Sequence, residues 1–176
     1  MTQITSTPRT WFRLAGLCAI GGAILRIIAA APSFRLSGQS AESLYLTIDG
    51  LLLIGLLGVF SASDRLRRGV GVVGFVISVA GFLLIRTGAR VGALGEFQTA
   101  AAVLALGLAV LGGAALLERG LLRWMGAAWT ASLVAGLAGA AAQVAASLLI
   151  AVLLFCLGFG LAGVSLLRRP LSEANK

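Results

Sequence analysis

The chain alternates long apolar runs with short polar or charged breaks, and the runs have the length of membrane crossings. A helix needs about 20 mostly apolar residues to span the hydrocarbon layer. The first run is Trp11 to Ala31, closed by Pro32, with Arg13 near its start and Arg26 near its end. The second, Glu42 to Ser63, contains Asp49. The third covers 69–86 and the fourth 95–117. From Trp124 to Leu167 there are 44 consecutive uncharged residues. One helix of that length would measure about 66 Å, twice the hydrocarbon thickness. Two spans, 122–138 and 144–167, account for it, with a turn between Gly136 and Gln143. The expected fold is an all-α integral membrane bundle of six transmembrane helices, built as three helical hairpins. Residues 1–10 and 168–176 form cytoplasmic tails.

The charges give an independent check on the number of spans. With the N-terminus inside, the inner segments hold Arg9, Arg13, Arg65, Arg67, Arg68, Arg119, Arg123, Arg168, Arg169 and Lys176. The outer segments hold only Arg35, Arg86 and Arg90. That asymmetry follows the positive-inside rule, and an odd number of spans after Arg123 would break it. Trp11 and Trp124 fall at the inner interface and Tyr45 near the outer one, as interfacial aromatics do. Trp129 lies deeper and reads as a packing residue. The first run also imitates a signal peptide. Arg26 interrupts its apolar core and Pro32 would follow the cut, so it is read as a permanent helix.

Composition agrees with the bilayer and removes several chemistries. Of 176 residues, 59% are hydrophobic and 11% charged, and the mean hydropathy is +1.03. A soluble domain is about a quarter charged. Histidine is absent, which excludes His-ligated haem or zinc and every Ser/His or Cys/His catalytic pair. Lys176 is the single lysine, so no buried Schiff base can form. Cys18 and Cys156 stand far apart in apolar runs and read as small buried hydrophobes. No metal site or cofactor is expected. The net charge of +8 is spread in clusters between spans, which is a membrane pattern and not a nucleic-acid one. Arginine outnumbers lysine, and alanine and glycine are abundant. This usage suggests a GC-rich bacterial genome, and hence a bacterial cytoplasmic (inner) membrane.

Small residues mark the faces where helices pack. Gly74, Ser78 and Gly81 share one face of the third run, and Gly158, Ala162 and Ser165 one face of the sixth. Such faces let helix backbones approach in lipid. An Arg-x-x-Gly pattern recurs at Arg13/Gly16, Arg68/Gly71 and Arg123/Gly126, 55 residues apart each time. Each arginine would reach the inner headgroups while the glycine, one turn deeper, admits a neighbour.

Charges inside spans are costly and are the first candidates for function. Arg26 and Asp49 lie at similar depth on sequential helices, and an Arg26–Asp49 ion pair is the expected arrangement. The alternative is a proton or cation site at Asp49. A second group at the outer level is Arg86, Thr87, Arg90, Glu96 and Gln98, interleaved with Gly88, Gly92 and Gly95. It reads as an interfacial turn, with an anion or lipid-headgroup site as the sharper alternative. The inner arginines should meet anionic phospholipids at the cytoplasmic face. A single intramembrane aspartate, no metal ligands and no longer acidic motif after Asp49-Gly50 argue against an enzyme. The leading functional expectation is an accessory, assembly or scaffold subunit of a larger membrane complex, contacting other membrane subunits or copies of itself. The alternative is a small oligomeric transporter or channel using Asp49 and the outer arginines.

Overall fold

The computed structural model describes residues 9–31, 38–87 and 96–173. They are all helical apart from short turns. The six helices are α1 (Arg9–Ala30), α2 (Gln39–Ala62), α3 (Val70–Thr87), α4 (Glu96–Ala115), α5 (Leu121–Ala142) and α6 (Ala145–Glu173). Each is long and apolar enough to cross a membrane, so the chain is a multi-pass membrane protein by length and composition.

The local causes of the boundaries are readable. α1 stops two residues before Pro32, because a proline disfavours helical backbone in the residue preceding it. The α2–α3 and α4–α5 turns end on Gly69 (φ 53°) and Gly120 (φ 70°), backbone that a side chain would strain. The long uncharged run does reverse, at Gln143 and Val144. Gln143 adopts left-handed backbone (φ 54°), and its N–H caps α5 on the Gly139 carbonyl. α5 thus runs to Ala142, past the expected end at 138.

Two other boundaries differ from expectation. α2 begins at Gln39, three residues before Glu42. α6 continues to Glu173, so the segment from 168 expected as a tail is helical. Charges at Arg168 and Arg169 end the apolar span, but they do not end a helix, since arginine is a good helix former.

The helices follow one another around a ring. α1 packs on α2, α3 on α4, α4 on α5, α5 on α6, and α6 closes onto α1. α2 leans in to touch α6, whereas α2 and α3 barely meet. That thin seam holds a stacked Phe60–Phe75 pair, ring centroids 4.1 Å apart. The centre is filled by Leu56, Leu108, Met125, Trp129, Phe159 and Leu166, all buried. Trp129 is 1% exposed and packs against Phe159 with centroids 5.1 Å apart, whereas Trp124 is exposed.

Small residues set the distance between neighbouring helices. Gly74, Ser78 and Gly81 of α3 meet Leu111, Gly107 and Leu104 of α4, an antiparallel register. A Cβ on Gly81 would stand 2.5 Å from the Leu104 Cα, so the two backbones touch. Ala19 of α1 fills the space beside Gly55 of α2, and Gly158 of α6 accommodates the Trp129 ring. With no water to expel, this close van der Waals contact is what holds transmembrane helices together. The recurring Arg-x-x-Gly glycines divide. Gly16 meets the Gly163 carbonyl of α6 and Gly126 the Gly112 carbonyl of α4. Gly71 instead faces the Leu66 backbone of its own preceding turn.

At the arginine-rich end, the α2–α3 turn lies against the α4–α5 turn. The Ser63 hydroxyl donates to the Glu118 carboxylate at 2.6 Å, and Arg65 donates to the Leu117 carbonyl. Asp64 pairs with Arg67, and Leu66 is fully buried beneath. Part of the charge read as topology signal thus also joins two turns. Trp11 is tied down at this end as well, its indole N–H donating to the Ser61 hydroxyl at 3.3 Å.

Candidate functional site

The opposite end carries the intramembrane charges. Glu42, Tyr45 and Asp49 recur at i, i+3 and i+7 on α2, a spacing that puts them on one helix face. That face borders a cleft of about 480 Å³. Arg26, Ala29 and Ala30 of α1 form a second wall, Ile85 and Arg86 of α3 a third, and Val152 of α6 completes it.

Asp49 is paired with Arg86: the guanidinium Nη2 lies 2.5 Å from the carboxylate Oδ2. The Asp49 side chain is 13% exposed and that of Arg86 28%, so the carboxylate is the more withdrawn of the two. The pair lies across the thin α2–α3 seam, toward the other end of it from the Phe60–Phe75 stack. The partner anticipated from the sequence was Arg26. Arg26 does lie at the matching level: Gly22 against Leu52 and Ala19 against Gly55 put it beside Ile48. The difference is one of direction around the helix. Asp49 points about 100° away from Ile48, and Arg86 reaches it there.

Arg26 instead holds its guanidinium over the Tyr45 ring, 5.5 Å from the centroid, within the range of a cation–π contact. It remains within electrostatic reach of Asp49. Among the described residues it makes no ion pair or hydrogen bond. Glu42 is exposed at the rim and likewise has no ion-pair partner among the described residues.

Of the second group expected at the outer level, Arg86, Thr87 and Gln98 share no hydrogen bond or ion pair among the described residues. Arg86 turns to Asp49. Thr87 is exposed and its hydroxyl returns to the Leu84 carbonyl of its own helix at 3.5 Å. Gln98 is exposed on α4. Arg90 and the Glu96 side chain lie outside the described residues. The sequence marks Tyr45 as an interfacial aromatic and allows Glu42, Asp49 and Glu96 to converge at the outer face; the structure puts Tyr45 on the cleft wall with Glu42 and Asp49. Their i, i+3, i+7 spacing was the available signal.

Cys18 is half-buried and Cys156 buried, each a free thiol. No group of three or more metal-ligating side chains is gathered among the described residues. The cleft therefore presents a neutralised ion pair, a guanidinium on an aromatic ring, a rim carboxylate and apolar walls. No family model, curated protein or solved structure matches the chain.

Proposed function

We propose that this chain is a small transporter of a bacterial cytoplasmic membrane, that it is not an enzyme, and that it takes its cargo from the cleft between Arg26, Asp49 and Arg86. The single observation behind this reading is that the intramembrane charges line a cleft. Charged side chains in spans are expensive and are retained at ligand and ion paths. A purely structural pair would be expected in a closed bundle. The excess of arginine at the far end supports a topology of three hairpins with both termini cytoplasmic, the cleft then opening outward.

The topology is tested by thiol labelling in a protein lacking Cys18 and Cys156. A cysteine at Arg67, on the exposed α2–α3 turn, should resist an impermeant reagent applied to intact cells. Labelling there would reverse the orientation. Transport is tested in proteoliposomes loaded in turn with inorganic phosphate, ethanolamine, glycine or a fluorescent phospholipid. Wild-type protein should move at least one of these, and Asp49→Asn should abolish the movement while remaining folded. Vesicles no more permeable than protein-free ones would sink the transport reading.

A second reading has its own observation. Below the cleft the centre is packed solid by Trp129, Phe159 and the leucines around them, which suits an accessory or scaffold subunit as well as a closed carrier. If flux is absent, extraction in mild detergent should then yield a complex several times the mass of the chain.

A further inference from the structure

The cleft has an apolar companion. A groove of about 410 Å³ runs between α1 and α6, lined by residues including Ile24, Ile27, Leu153, Leu157 and Gly160. Cleft and groove are lined by consecutive residues on both helices: Arg26 and Ile27 on α1, Val152 and Leu153 on α6. The polar end of the pair is itself ordered. Arg26 stands over Tyr45, and Glu42 lies about one helical turn, roughly 5 Å, along α2 from Tyr45. Among the described residues, a guanidinium and a carboxylate without ion-pair partners therefore line one cleft, beside an apolar groove.

We propose that this composite site binds an aminophospholipid, with its phosphate on Arg26, its ammonium on Glu42 and one acyl chain in the α1–α6 groove. The chemistry of each part selects its counterpart. A guanidinium matches phosphate oxygens through two parallel N–H donors. A carboxylate accepts from a primary ammonium, whereas a quaternary ammonium offers it no N–H. The Asp49–Arg86 pair is already neutral and adds no net charge, so the site as a whole suits a zwitterion better than a simple anion. The groove wall of aliphatic side chains has nothing to offer a soluble headgroup. This inference takes the cleft to be the ligand site, as the transport reading does, but it does not require movement of the lipid.

Native mass spectrometry of the purified protein with equal amounts of phosphatidylethanolamine, phosphatidylglycerol and phosphatidylcholine tests it. Phosphatidylethanolamine adducts should be favoured by about tenfold, the equivalent of one well-made ionic hydrogen bond. Glu42→Gln should keep phospholipid binding and lose that preference. Arg26→Leu should lose adducts of all three lipids. Gly160→Leu puts a side chain into the groove at a position where an added Cβ meets no protein atom within 4 Å, so it should fold normally and still lose the adducts. Free phosphoethanolamine at matched concentration should fail to compete. An equal response to the three lipids in wild type, an unchanged preference in Glu42→Gln, or effective competition by free phosphoethanolamine would each overturn the proposal. Selective lipid binding without flux would leave this inference standing and remove the transport reading. Flux that is lost in Asp49→Asn, in a protein that shows no preference for phosphatidylethanolamine, would do the reverse.

Discussion

Gly107→Val should yield no folded protein, while Gly113→Val, six residues along the same helix, should be silent. Both glycines lie on α4. A Cβ at Gly107 would press into the Ser78 backbone nitrogen and stand 2.7 Å from the Ser78 hydroxyl oxygen. Neither can give way, because Ser78 is fully buried and its hydroxyl is held by the Gly74 carbonyl at 2.8 Å. Separating α3 from α4 by even a fraction of an ångström forfeits contacts along the whole interface. Overpacking of this kind costs about 3 kcal/mol or more, a large share of a typical domain's stability. At Gly113, an exposed position, an added Cβ meets nothing within 4 Å. The measurement is the monodisperse yield and the thermal unfolding midpoint of the two variants in the same detergent. A stable Gly107→Val protein would mean that α3 and α4 are not in backbone contact.

Asp49→Leu and Arg86→Leu should each be destabilising, and the double variant should be more stable than either. Each single change leaves a partly exposed charge without its partner, at a cost of about 1–3 kcal/mol once that exposure is allowed for. The double change removes both charges. Double-mutant cycles on thermal stability read the coupling directly. A parallel cycle between Asp49 and Arg26 should show a smaller coupling, because Arg26 spends its contact on Tyr45. If the larger coupling fell on Arg26, the pairing across the α2–α3 seam would be wrong. Strict additivity of Asp49 and Arg86 would leave Asp49 free to serve as an ion site alone.

The residues that were legible in advance share a cause. Six apolar runs of spanning length follow from the cost of exposing backbone and polar groups to hydrocarbon, and that cost does not depend on what the helices touch. The reversal near Gln143 was forced by bilayer thickness alone. Trp129 was legible as a packing residue because an indole at that depth is remote from both interfaces. The Gly74, Ser78 and Gly81 face was legible because helical periodicity places those positions together.

What escaped were directions and contacts between helices. Depth along a helix can be counted from its sequence, and the structure does place Arg26 level with Asp49. The angle around the helix relative to its neighbours depends on how six backbones pack, and the Arg-x-x-Gly recurrence shows it. Gly16 and Gly126 admit neighbouring helices, whereas Gly71, with the same pattern, faces its own turn. Chain hydropathy by itself determined that this is a multi-pass helical membrane protein and roughly where it turns. Only the tertiary structure decided that Asp49 answers to Arg86, that Arg26 stands over Tyr45, and that both border a cleft. The physical reason is range: transfer into the bilayer is a one-residue energy summed along the chain, while an ion pair exists only within a few ångströms, a distance set by the packing of helices far apart in sequence.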